Sequence, residues 1–118
     1  MKIAIICSNA VSINKNSKRG TEIFDYILIN SLVNAVGKDV NITAFASGDS
    51  DLPVETQSVD KISSSQDKSI FKKEKHIIFE LALISKAFLM QDEFDLYHVN
   101  IGDGDIILPF APFVKKPI

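Results

Sequence analysis

The chain has 118 residues, 13 basic and 15 acidic, a net charge of −2 with both histidines neutral, and a pI near 5.6. That length suits one small domain with a buried core and is too short for two. The acidic balance and the lack of a dense Lys/Arg face exclude nucleic acid as an expected partner, and the lone Cys7 excludes an internal disulfide.

Lys2-Ile3-Ala4-Ile5-Ile6-Cys7 is apolar over a stretch shorter than the core of a secretory signal. It reads as the first strand of a cytoplasmic protein, with Cys7 reduced and packed as a small core residue. Residues 8–20 are polar at nearly every position and mark an exposed loop. A helix then starts near Thr21, with Phe24, Ile27, Leu28, Leu32 and Val36 at helical spacing for packing on a sheet, and with Gly37 as a left-handed cap. Residues 40–46 form the second strand and run into the turn cluster Ser47-Gly48-Asp49-Ser50-Asp51.

Residues 47–69 show little apolar periodicity, and Ser63-Ser64-Ser65-Gln66-Asp67 is the most linker-like stretch, so the segment is expected to be a mobile loop within the domain. A helix over about 71–92 would bury Ile77, Ile78, Leu81, Ile84, Phe88 and Leu89; it is too short and too interrupted to span a bilayer, although a membrane-surface role stays open. Lys72, Lys73 and Lys75 oppose the dipole at its start, which predicts a frayed first turn or, less favoured, a bound anion. Residues 94–100 form a strand and 101–105 a turn, after which 106–114 start as a helix limited by Pro109 and Pro112. Residues 115–118 look like the approach to another strand, which suggests a fragment.

Alternating strands and helices predict an α/β fold with a Rossmann-like parallel sheet and flanking helices, and place ligands beyond the carboxyl ends of the strands. The first loop has neither a dinucleotide fingerprint nor a phosphate-binding P-loop. What remains is Gly20-Thr21-Glu22 at the helix start, which either receives a phosphate on free N–H groups or makes a turn capped by Thr21. Asp103-Gly104-Asp105 could chelate a cation, but a tight turn and helix cap explain it better, as no third acidic ligand is assignable. His98 lies near the carboxyl end of its strand, facing the crevice or hydrogen-bonded at the sheet rim; His76 is expected to be solvated surface.

Four segments in order resemble the amino-terminal domain of the family 4 glycosyltransferases, two-domain enzymes with the GT-B fold: Lys2-Ile3-Ala4-Ile5-Ile6, Arg19-Gly20-Thr21-Glu22, residues 39–50, and Phe94-Asp95-Leu96-Tyr97-His98-Val99-Asn100. The second matches the family's Gly-Gly-x-Glu, with Arg19 replacing the first glycine; the fourth often ends in His-x-His, of which His98 carries over and Asn100 replaces the second histidine. The resemblance implies the acceptor-side, amino-terminal portion of a retaining glycosyltransferase that takes a hexose from a nucleotide sugar, which is a substrate, and needs neither metal nor cofactor. It implies substrate-binding roles for Arg19, Gly20, Thr21, His98 and Asn100. No catalytic residue is expected within residues 1–118, because the donor-gripping second domain and its pair of glutamates have no counterpart here. The expected partners are the nucleotide sugar, an acceptor and that carboxy-terminal domain, with peripheral membrane association and self-association through an exposed sheet edge as further possibilities. Beside this stands a non-catalytic α/β binding module, or orphan fragment, with a sugar or phosphate pocket; a flavodoxin-like domain is disfavoured because no Ser/Thr-rich phosphate loop directly follows the first strand.

Overall fold

Strand β1 (Lys2–Ile6) is apolar on both sides because it lies inside the sheet. The computed structural model describes residues 1–118 and shows an α/β fold whose four parallel strands are ordered β3-β2-β1-β4, with helices on both faces. Strands β2 (Asn41–Phe45) and β4 (Leu96–Val99) flank β1, in registers that set Ile3 opposite both Ile42 and Leu96. The pleat then divides the core: Ile3, Ile5 and Cys7 pack with Ile13, Ile29, Ile42 and Ala44 on one face, and Ala4 and Ile6 pack with Phe45, Leu83, Ile84, Phe88 and Tyr97 on the other.

Helix α1 (Gly20–Ala35) covers the first of these faces, but not with the expected stripe. Its buried residues are Glu22, Asp25 and Ile29, continued by the partly buried Leu32 and Val36, whereas Phe24 and Ile27 are more than half exposed. Apolar residues occur all around this helix, so periodicity alone does not choose a face; the contacts of Asp25 and Glu22 described below accompany the rotation that is observed. Gly37 is also not a left-handed cap: no glycine has positive φ, and the helix ends at an extended Val36 whose N–H donates to Leu32 O.

Residues 47–69, expected to be a mobile loop, are tied down at several points. They contribute edge strand β3 (Glu55–Gln57), paired with β2 from Thr43 to Phe45. Asp49 Oδ2 accepts from the N–H and hydroxyl of Ser63, Asp51 N donates to Ile13 O, and Ser64 N donates to Asn9 O. Ser63 and Ser64 are consequently buried, although their composition resembles a linker. Stitched in this way, the excursion closes over the first loop.

The single helix expected over 71–92 is two helices, α2 (Lys68–Phe71) and α3 (His76–Leu89), divided by a corner at which Glu74 takes a left-handed φ of 53°. Helix α3 buries Glu80, Leu83, Ile84, Ala87 and Phe88; the expected face is rotated so that Ile77, Ile78 and Leu89 are exposed. The Tyr97 hydroxyl donates to Ala87 O at 2.7 Å, and its ring meets Phe88 edge-on at a centroid distance of 5.0 Å, which locks α3 to β4. Beyond β4, two short 3₁₀ turns, Gly104–Ile107 and Ala111–Phe113, replace a continuous helix, and Tyr97 N donates to Pro117 O along the outer edge of β4. No helix is long and apolar enough to cross a membrane.

Candidate functional site

The carboxyl ends of β1 and β4 open into a cavity of about 320 Å³. Ser8 and Ala10 reach it from the loop after β1, Arg19, Thr21 and Glu22 from the start of α1, and His76, Ile77 and Glu80 from the start of α3. The turn after β4 closes it with Ile101, Gly102 and Asp103. Two helices of at least three turns thus aim their amino ends at one space, where unsatisfied N–H groups favour an anionic or strongly accepting group. A larger groove of about 640 Å³ lies at the other end of the sheet, but its charged residues, Lys2, Lys38, Glu55 and Glu93, are all exposed, and no buried polar group converges there. Parallel sheets bind ligands at the carboxyl end, and the polar chemistry of this chain is concentrated there.

Carboxylates dominate the floor of the cavity. Glu80 Oε2 accepts from Asn9 N at 2.7 Å, and Asn9 Nδ2 in turn donates to Ser64 Oγ at 2.9 Å. Burial raises the Glu80 pKa, and the donors Asn9 and Ser8 hold it back. Glu22 is 95 % buried by its 5 % exposure, and its Oε2 has no hydrogen-bond partner. Such an acceptor is costly to leave unmade, and because the atom itself is buried it meets a ligand hydroxyl or amine only when the side chain turns toward the cavity. One turn deeper, Asp25 is fully buried; Oδ1 accepts from Asn100 Nδ2 at 2.7 Å and Oδ2 has no partner. Burial pushes the Asp25 pKa up to about 6 from 3.8, despite donation from Asn100 and the adjacent Cys7 thiol, and Glu22 adds to the rise. Burial, with the charge of Asp25 beside it, also raises the Cys7 thiol, so this cysteine is an inert core thiol rather than a nucleophile.

Of the five residues singled out by the resemblance, Arg19 and Thr21 line the cavity and Gly20, His98 and Asn100 do not. Arg19, not Thr21, is the residue before the first helical turn, and no side chain caps it. Gly20 is exposed, its φ is not positive and a Cβ there would meet open space, so neither the turn nor a contact within the chain requires a glycine. His98 is exposed on the edge strand, in the alternation that sends Leu96 toward the α1 face while Tyr97 and Val99 face α3. Asn100 is a strut between β4 and α1 through Asp25. Asp103 and Asp105 are not joined by a third ligand, and no group of three His, Cys, Asp or Glu side chains is placed to hold a metal.

Glu80 and Asp25 went unassigned in the sequence, and His76, exposed as expected, also lines the cavity. A signal existed for the first two: Glu80 interrupts the most apolar segment, and Glu22, Asp25, Ile29, Leu32 and Val36 share the i, i+3, i+7 spacing of an inward stripe once acids are admitted to it. Fold and site together define a Rossmann-like α/β protein with a ligand-sized, acid-floored cleft at the carboxyl end of its sheet. No protein-family model matches this chain, and no curated protein matches it significantly.

Proposed function

We propose that this chain is the acceptor-side portion of a cytoplasmic retaining glycosyltransferase using a nucleotide-activated hexose, and that its carboxyl-end cavity binds the hydroxyl-rich part of a sugar ligand. The observation that carries the reading is Glu22, a buried residue that lines the cavity, has an unpartnered carboxylate oxygen and stands beside a rim holding Arg19 and the first turn of α1. A carboxylate in that state suits sugar hydroxyls, each of which donates a hydrogen bond, and disfavours a phosphate placed directly upon it. A phosphate fits only at the rim, where Arg19 and the free N–H groups offset its charge. Within this chain the residues orient and neutralise; sugar transfer would be carried by a second, donor-gripping domain, with no metal or cofactor.

A second reading, a non-catalytic sugar-binding module, is favoured by a different observation: both faces of the sheet are already covered by clusters built from this chain alone. Both readings require the same binding event. Titration of the ¹⁵N-labelled chain with methyl α-glucoside and with uridine-, guanosine- and adenosine-diphosphate glucose is expected to shift the amides of Ser8, Thr21 and Gly102 saturably at millimolar levels. Arg19→Ala should weaken only the nucleotide sugars, and Glu22→Gln both ligand types. Absence of saturable shifts at about 10 mM, or shifts confined to the groove at the opposite end of the sheet, would refute the proposal.

A further inference from the structure

We propose that the corner between α2 and α3 is a docking surface for an anionic lipid bilayer. Every residue from 71 to 78 is exposed, and the run includes Phe71, Ile77 and Ile78 at 60 %, 44 % and 57 % exposure. Three large apolar side chains exposed within eight residues form a patch unusual on a protein that meets only water. Lysines surround them: residues 68–78 hold Lys68, Lys72, Lys73 and Lys75 against the single Glu74, a net +3 in a chain whose total is −2. Asp67, just before this run, is turned into the cap of α2, where its carboxylate accepts from the N–H and hydroxyl of Ser69.

Backbone hydrogen bonds shape the corner that presents this mixture. Ile70 is buried at 5 % exposure, and its carbonyl accepts from both Lys73 N and Lys75 N, so the chain reverses around a fixed point through the left-handed Glu74. Lys75 is the residue before α3, where a cation opposes the dipole; an anionic surface over the corner converts that unfavourable placement into an attraction. Lysine heads at the phosphate level with Phe71, Ile77 and Ile78 at the acyl boundary is the pattern by which peripheral segments hold a membrane. Single-stranded nucleic acid fits less well, since it is held by aromatic platforms and two of the three apolar residues are aliphatic. Because His76 and Ile77 also line the cavity, docking brings its mouth to the headgroup layer whatever ligand it takes.

The test is co-sedimentation of the full chain with phosphatidylcholine vesicles, with and without roughly 30 % phosphatidylglycerol, at about 0.1 M salt. Partition is expected onto the anionic vesicles only, and to fade at about 0.5 M salt. The triple change Lys72→Gln, Lys73→Gln, Lys75→Gln should lower the partition coefficient about a hundredfold, at roughly fivefold per lysine, and Phe71→Ser with Ile78→Ser at least about tenfold. All five positions are exposed, so unchanged thermal melting should accompany the loss. Absence of vesicle binding, equal binding to neutral vesicles, an unaffected lysine variant, or capture by a single-stranded oligonucleotide in place of vesicles would overturn the proposal.

Discussion

Of the five glycines, Gly48 should tolerate alanine least. A Cβ at Gly48 would lie 2.7 Å from the Asp60 carbonyl oxygen and 2.9 Å from Lys61 Cα, both backbone atoms that cannot rotate away. Restoring ordinary contact requires residues 60–61 to retreat by roughly 0.7 Å, which stretches the 2.9 Å bond from Gly48 N to that same oxygen. Overpacking costs about 1–3 kcal/mol and a weakened backbone hydrogen bond about 1 kcal/mol, so the expected loss is about 2–4 kcal/mol of a total near 5–15 kcal/mol. In urea, with a slope of about 1–2 kcal/mol per molar for a chain of this size, the midpoint should fall by about 2 M. Gly20→Ala is the matched control, since a Cβ there meets nothing within 4 Å, and should lie within about 0.5 kcal/mol of wild type. The retreat would also pull Ser63 and Ser64 from Asp49 and Asn9 and so disturb the Asn9 support of Glu80. A Gly48→Ala protein that unfolds at the wild-type midpoint with an unchanged slope would refute the reasoning.

Asp25, with its pKa raised from 3.8 to about 6, carries a buried charge above that pH which the unfolded chain holds in water; its contribution therefore makes stability fall as pH rises from about 4 to 6 and stay lower beyond. Asp25→Asn should remove that slope and raise stability near pH 7.5 by about 1–3 kcal/mol, and a variant less stable than wild type there would show that the sign is wrong. Tyr97→Phe should cost about 1 kcal/mol, measured by urea unfolding, because it removes the hydroxyl's bond and leaves Ala87 O only the longer 3.2 Å bond from Met90 N; a neutral result would mean that the hydroxyl bond does not help to hold α3 on β4. Glu74→Gly relieves a left-handed residue at φ 53° and should gain about 0.5 kcal/mol, visible as a melting temperature higher by about 2 °C; a decrease would mean that the glutamate side chain holds the corner.

The strand–helix alternation, the first strand and the carboxyl-end location of the cleft were legible because continuous apolar runs and turn clusters are local signals. The face of α1 was not, since Ile23, Phe24, Ile27 and Val33 compete with Ile29, Leu32 and Val36, and the inward set is marked by two acids that apolar patterning discards. Helix α3 failed in the same way: Glu80 is inside and Ile77 and Ile78 outside. Strand β3 was hidden because its three residues are ordered by pairing with Thr43 to Phe45 rather than by a pattern of their own, and the buried Ser63 and Ser64 because they are held by bonds to Asp49 and Asn9, outside any periodic element. At the site, the motif at the start of α1 led to Arg19 and Thr21, while the neighbours that complete the cavity come from α3, more than fifty residues later.

The strand order has a consequence for synthesis on the ribosome. β1 is made first and lies between two neighbours, yet Ile3 meets Ile42 early and Leu96 only after 93 further residues have been added. All the fully buried members of the α1-side cluster have emerged by residue 46, whereas the opposite cluster waits for Leu83 through Tyr97. At about 5–20 residues per second, that leaves one face and one edge of β1 bare for several seconds. A nascent chain in that state exposes Ala4, Ile6 and Phe45 together, an apolar strip for a holding chaperone to cover until α3 and β4 arrive.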